Sequence, residues 1–246
     1  MGSYVYDQAK AIKDSNKYDV QIIKVVSIFS KEKAYSFKGF NVQTFKIIDF
    51  PFFIFPGLFS ILNAFRIKQF FKKNNLFQNL NIIHAHVCYP AAYLANALVV
   101  GKNIKTIAQH HGLDVFQLQN GHFNFIKKTQ RKFLLNRSIR ILNQIDLNVS
   151  VSKKVQGELH LFDNYKPSQE CVLYNGVNTS KFFKMNSKQK DDAYKLGCVA
   201  NFWPIKDHMS LLKAIKLLIN DGIKIKLKLV GYGEMLELCK RYVLDN

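Results

Sequence analysis

Five short stretches of this chain hold side chains of the kind that recognise anions and hydroxyls. Asn201 and Lys206 flank the turn Phe202-Trp203-Pro204, and Gly231-Tyr232-Gly233 ends an apolar run just before Glu234. His110-His111-Gly112-Leu113-Asp114 closes another apolar run, His84-Ala85-His86 a third, and Asn175-Gly176 follows a fourth. A lysine supplies a fixed cation, and successive amides where a glycine turn enters a helix form a cradle for negative charge. A glycine at the carboxyl end of a parallel strand lets a ligand come close to the backbone, and a histidine can donate to a hydroxyl or a phosphate. Each stretch also has a plain structural reading. Lys206 is then an ordinary turn lysine, the glycines make a tight turn, His86 is a strand-end histidine, and His111 lies in a capped turn.

Other chemistries find little support. The cysteines, at 88, 171, 198 and 239, show no CxxC spacing and no nearby histidine pair, so they read as buried reduced thiols and not as disulfides or a zinc site. No Asp-x-Asp occurs, and Asp191-Asp192 falls in a polar tract. A dinucleotide-binding oxidoreductase needs G-x-G-x-x-G after a strand; here Gly231-x-Gly233 is followed by Leu236.

The elements that must position these residues alternate along the chain. Residues 196–200 are an apolar run that reads as a buried strand. From Asp207, a plausible cap, the pattern turns helical, with Met209, Leu212, Ile215, Leu218 and Ile219 on one face and a stop at Asp221-Gly222. Residues 223–230 alternate Ile223, Ile225, Leu227 and Leu229 against lysines, a second strand, and a helical segment starts at Glu234. Earlier, Ser3 opens a helix with Val5, Ala9 and Ile12 as its stripe, and strands are expected at 20–26 and 41–48. A helix over 56–73 should bury Phe59, Leu62, Ala64, Phe65 and Phe70. Strands at 81–86, 104–109 and 146–152 each lead toward a helix. Strand, helix and strand in repetition means an α/β fold with parallel sheets, which bind ligands at the carboxyl ends of their strands.

A chain of 246 residues can bury a substantial core, and 48% hydrophobic against 22% charged residues is ordinary for a folded soluble protein. The net charge of +19 is not ordinary, and residues 1–180 carry 23 Lys and Arg against 10 Asp and Glu. Such a field favours nucleic acid, acidic lipid surfaces or phosphorylated small molecules. Lys127, Lys128, Arg131, Lys132, Arg137 and Arg140 form an acid-free helical tract. It reads either as a solvated outer face or as a contact with anionic lipid headgroups. Nucleic acid has no recognition motif to support it. Residues 1–20 are polar and amphipathic, unlike a signal peptide, and the most apolar window, 47–65, is broken by Asp49, Pro51, Pro56 and Asn63, unlike a membrane span. The expected location is cytoplasmic, with peripheral attachment to the inner face of a membrane if the basic tract meets lipid.

Taken in order, these stretches resemble the retaining glycosyltransferases of family 4. The resemblance runs through Gly2, His84-Ala85-His86, His111-Gly112-Leu113-Asp114, the valine-serine strand end within residues 146–152, Asn175-Gly176-Val177-Asn178, Lys206 and Gly231-Tyr232-Gly233. It departs where Ala200-Asn201 stands for the family's glycine-arginine pair and Asn178 for its aspartate. The resemblance implies the GT-B fold of two Rossmann-like domains with parallel sheets. It also implies an acceptor-side domain over 1–183, a linker over 184–193, and the start of a nucleotide-sugar-binding domain over 194–246. By resemblance the first strand and the region beyond 246, where the family carries a pair of donor-gripping glutamates, are expected to be missing, leaving the second domain incomplete.

The resemblance further implies transfer of a sugar, with retention, from a UDP- or GDP-linked donor to a glycan or lipid-linked acceptor in surface polysaccharide or glycolipid synthesis. No metal or other cofactor is expected. His111 and Lys206 would be catalytic, and Asn201, Lys206, Gly231, Gly233 and Glu234 would hold the donor. Gly2, His86, Gly112, Asp114, Ser152 and Asn175 would line the cleft. Asn201 can hydrogen-bond a phosphate but cannot neutralise it. The alternative is a non-catalytic remnant that keeps only the acceptor-side domain.

Overall fold

The structure, a computed structural model, describes residues 3–49, 57–111, 125–184 and 192–245, without the side chains of 3–4 and 125–133. It divides into two compact units, Met1–Val177 and Asn178–Asn246. The first runs α1 (Ser3–Asp14), β1 (Ile22–Ser27), β2 (Tyr35–Phe37), β3 (Phe40–Ile47), α2 (Ser60–Lys73), β4 (Ile82–Ala85), α3 (Tyr93–Val99), β5 (Lys105–His110), α4 (Phe125–Leu142), β6 (Leu147–Ser150), α5 (Lys153–Leu159) and β7 (Glu170–Val172). The second runs β8 (Tyr194–Val199), α6 (His208–Asn220), β9 (Ile225–Val230) and α7 (Leu236–Asp245). The expected α/β class with parallel sheets holds in both units.

In the first unit β4, β5, β6 and β7 form a parallel sheet in that order, while β1 and β3 pair in parallel with β2 antiparallel on the far side of β3. Parallel neighbours need a crossover, and from β4 to β7 the helices between the strands supply it. One cluster packs β4 and β5 against α3, α4 and α5 through Ala85, Ala92, Ala108, Ile139, Leu142 and Leu159. A second packs β3 against α2 and α3 through Phe45, Ile47, Ile67, Phe71, Leu94 and Leu98. Asp146 fixes the register at the amino end of β5 and β6. Its carboxylate accepts from the Thr106 N–H at 2.9 Å, the Thr106 hydroxyl at 2.8 Å and the Lys105 ammonium at 2.9 Å. The Lys105 contact, with the two Thr106 bonds, holds the Asp146 carboxyl below the usual carboxylate range.

Helix α2 buries a different face from the one its apolar residues suggest. Leu62 and Phe65 point outward at 45% and 60% exposure, and the inward residues are Asn63, Ile67 and Phe71. Polar anchoring decides the rotation. The Asn63 amide donates to the Ile48 carbonyl at 2.7 Å and accepts from its N–H at 2.9 Å, while Arg66 donates to the Lys46 carbonyl at 2.7 Å. Two unpaired backbone groups in the interior would cost more than exposing two apolar side chains. Helix α4 is likewise more inward than its charge suggests. Arg137 donates to the Gly57 carbonyl at 3.0 Å and to the Ser60 hydroxyl, and Ser138, Ile139 and Leu142 are buried.

The second unit is a two-stranded parallel sheet under α6 and α7, with Phe202, Leu212 and Cys239 at its core. Here the sequence reading of β8 is corrected. Val199, 83% exposed, faces the side of the sheet that the described helices leave uncovered, while Leu196, paired with Leu227, is still 41% exposed. Leu218 and Ile219 of α6 are exposed as well. The cysteines are all free, but only Cys88 and Cys239 are buried; Cys171 is exposed and Cys198 intermediate. Among the described residues no helix is long and apolar enough to cross a membrane.

The anchoring of α2 is testable by urea denaturation. Asn63→Ala should cost about 2 kcal/mol by orphaning both Ile48 groups, whereas Leu62→Ser on the outward stripe should stay within about 0.5 kcal/mol of the parent.

Candidate functional site

Because β4 to β7 are parallel, the chain leaves Ala85, His110, Ser150 and Val172 on one rim of the sheet. His86, His111, Ser152 and Asn175 stand just past those strand ends. The two-residue spacing of His84 and His86 puts both on one face, and their rings stack with centroids 4.4 Å apart. His86 stacks in turn on His111 at 5.2 Å, and His86 Nδ1 lies 3.0 Å from His111 Nε2. One ring donates and the other accepts, so at most one of the pair can carry an extra proton. His110 turns the other way, 2% exposed, with its Nε2 3.3 Å from Asn148 Oδ1, whose amide donates to the Leu142 carbonyl. The adjacent histidines thus divide the work: His110 ties strands together and His111 faces the rim.

Electrostatics keep this histidine row neutral. Burial drives the His86 imidazole down to about 3, with the His84 and His111 rings adding to the shift. Burial first, then His84 and His110, takes His111 down to about 4. Burial also lowers His84, and the Gln109 side chain works against it. A neutral imidazole at pH 7 offers one donor and one acceptor in place of a cation. Among the described residues no group of three or more His, Cys, Asp or Glu is arranged to hold a metal ion.

The remaining rim residues play plainer parts. The Ser152 hydroxyl accepts from the Val155 N–H at 3.2 Å and so caps α5, and Asn175 is exposed in the loop after β7. Gly2, Gly112 and Asp114 lie outside the described residues, as do the side chains of Lys127, Lys128, Arg131 and Lys132.

In the second unit the loops after β8 and β9 run backbone against backbone. The Ala200 N–H donates to the Val230 carbonyl at 3.0 Å, the Phe202 N–H to the Tyr232 carbonyl at 2.7 Å, and the Met235 N–H to the Phe202 carbonyl at 2.9 Å. The glycines make this approach feasible. A Cβ on Gly231 would sit 2.0 Å from the Ala200 carbonyl oxygen and one on Gly233 2.6 Å from that of Phe202, and Gly233 holds φ at +148°. Lys206 ends the short turn Pro204–Lys206 with its side chain exposed, and exposed Asn201 accepts the Trp203 N–H at 2.8 Å. Asp207 is the expected cap, in the left-handed region at φ 48°, accepting from the Ser210 N–H at 3.3 Å. Helix α7 begins at Leu236, two residues later than expected. Glu234 therefore lies in the turn before it, exposed.

Two participants were missed in the sequence. His84 is signalled by the histidine-x-histidine spacing, which makes it a neighbour of His86. His208, 3% exposed, stacks on Phe202 at 4.0 Å beneath the Lys206 turn, and its position after a helix cap gave no hint of burial. The structure thus gathers His86, His111, Ser152 and Asn175 on the rim of one unit. It gathers Asn201, Lys206, Gly231, Gly233 and Glu234 at the strand ends of the other.

Two measurements check this geometry. A histidine that titrates near 6.5 unfolded and near 3 to 4 folded lets the unfolded chain bind protons that the folded chain refuses. Stability should therefore be unaffected above pH 6.5 and fall as pH drops from there toward 4, and His86→Gln should flatten that fall in thermal unfolding. An NMR titration placing His111 at its ordinary value would refute the neutral row. Gly231→Ala should destabilise the second unit by about 1–3 kcal/mol through a backbone clash, whereas Gly176→Ala, with open space around it, should not.

Comparison with known proteins bears on these sites. A family model described as Glycosyltransferase Family 4 matches residues 1–181. An uncharacterized glycosyltransferase of Methanocaldococcus jannaschii is 26% identical over 196 residues, which is 78% of this chain and 47% of that protein. The chain thus spans about half the length of that relative. A solved structure titled as sucrose-phosphate synthase from Thermosynechococcus elongatus superposes with a TM-score of 0.47 at 12% identity, over 71% of this chain and 85% of the other.

Proposed function

Because this chain belongs to glycosyltransferase family 4, we propose that it moves a sugar from a UDP- or GDP-linked donor to a glycan or lipid-linked acceptor in surface polysaccharide or glycolipid synthesis. The family match over residues 1–181 carries the reading. Residues 1–183 take the acceptor side, and residues 194–246, with Lys206, take the donor side. Transfer requires that charge developing on the departing diphosphate be stabilised. Lys206 provides a fixed cation, and the Tyr232–Glu234 amides provide oriented dipoles on a loop whose shape is set by backbone packing. Glu234 and Asn201 complete the donor contacts. No metal takes part, and the anomeric configuration is retained.

His111 serves as a neutral donor to a hydroxyl of the transferred sugar. Its depressed pKa supports this role, since an imidazolium there would repel the developing positive charge at the anomeric carbon. His86 sets the tautomer and ring plane of His111. Gly2, Gly112, Asp114, Ser152 and Asn175 border the acceptor. The protein works in the cytoplasm, on the inner face of a membrane approached through the basic tract from Lys127 to Arg140.

Thermal unfolding tests the reading. A UDP- or GDP-sugar at about a hundredfold excess over its Kd should stabilise the fold by about 2.7 kcal/mol, NAD should not, and Lys206→Ala should remove the effect. Protection by neither nucleotide sugar would overturn donor binding in this chain and favour the non-catalytic remnant.

A further inference from the structure

Two exposed aromatic side chains stand at the strand ends of the second unit, and the transfer chemistry above uses neither. Trp203, the single tryptophan of the chain, follows β8 and is 43% exposed. Tyr232 follows β9, between Gly231 and Gly233, and is 70% exposed. Both are displayed on backbone that is tied down. Pro204 restricts the residue before it to extended backbone, and Trp203 holds φ −96° and ψ 150°. Phe202, one residue earlier, points inward at 2% exposure and stacks on His208 at 4.0 Å. Its N–H donates to the Tyr232 carbonyl at 2.7 Å, and its carbonyl accepts from the Met235 N–H at 2.9 Å, so the two turns are held against each other. The Lys206 N–H donates to the Trp203 carbonyl at 2.9 Å, which puts indole and ammonium on one short turn.

We propose that Trp203 and Tyr232 form a stacking platform for the heterocyclic base of a nucleotide whose phosphates meet Lys206. The proposal rests on the reading of this unit as the donor side and adds which side chains take the base. Scattered exposed apolar residues are ordinary. A tryptophan and a tyrosine on two hydrogen-bonded turns are a different matter where the turns lie at the carboxyl ends of parallel strands, the place where α/β units bind ligands. Each ring offers a large rigid face with only two side-chain torsions to fix, so little freedom is lost on binding. Charge selects a nucleotide over a neutral sugar ring. The occupant must present a flat face to the aromatics and an anion to the lysine, and a base joined through ribose to phosphate does both. A neutral glycan would leave the cation without a partner.

Fluorescence titration tests it, because tryptophan emission comes from Trp203 alone. Whichever of UDP and GDP binds the more tightly should quench that emission. Inorganic pyrophosphate, followed by calorimetry, should bind about tenfold more weakly and leave the emission unmoved. Tyr232→Ser should weaken the nucleotide about tenfold, whereas Tyr232→Phe, which keeps the ring, should bind it like the parent. Trp203→Leu, read by calorimetry, should also lose about tenfold. Pyrophosphate affinity and the urea midpoint should be the same in the parent and both Tyr232 variants, since that site is exposed. The platform is overturned, with the donor reading intact, if the nucleotide binds without moving the emission and binds Tyr232→Ser as tightly as the parent. It is overturned as well if the nucleotide binds no more tightly than pyrophosphate, if Tyr232→Ser weakens pyrophosphate equally, or if maltose quenches the emission and the nucleotide does not. Failure of the parent to bind any nucleotide overturns the donor reading and the platform together.

Discussion

Parallel pairing is the constraint from which the rest follows. Once β4 to β7 all run the same way, each link must cross back over a face of the sheet, and every strand delivers its exit to the same rim. Histidines 25 residues apart in the chain, His86 and His111, become adjacent because β4 and β5 are neighbours in register. At the opposite end of the sheet Asp146 ties β6 to β5 through Thr106 and Lys105.

The division of labour between side chain and main chain differs in the two units. In the first, the polar groups at the strand ends include imidazoles whose neutrality comes from burial and from one another. In the second they are backbone groups beside an exposed lysine, and the carbonyl of Phe202 is tied to the chain after Gly233. Soft hydroxyl contacts suit an imidazole, and an anion suits a fixed cation with oriented amides.

Much of this was legible in the residues. Alternation in 223–230 marked β9, and Asp207 and Asp221-Gly222 marked the ends of α6, because caps and period-two patterns are local signals. The histidine-x-histidine spacing similarly carried its own geometry. What failed was what depends on partners distant in sequence. An apolar stripe on α2 lost to Asn63 and Arg66, whose value lies in backbone groups of Lys46 and Ile48 that no window around residue 63 contains. The apolar run of β8 was taken for interior, yet burial is decided by what covers a strand, and Val199 faces the side that the described helices leave open. Ser152, read as a cleft residue, is also the N-cap of α5, a part that its spacing to Val155 already signals.

The glycine pair of the second unit has one more implication. The contour of that loop is set by the absence of side chains at 231 and 233, which lets main chain lie on main chain, while Tyr232 between them is 70% exposed. The contour and the side chain that it displays are therefore set at different codons. The middle residue is open to exchange without disturbing the backbone around it, so one inherited scaffold can carry different side chains at that point.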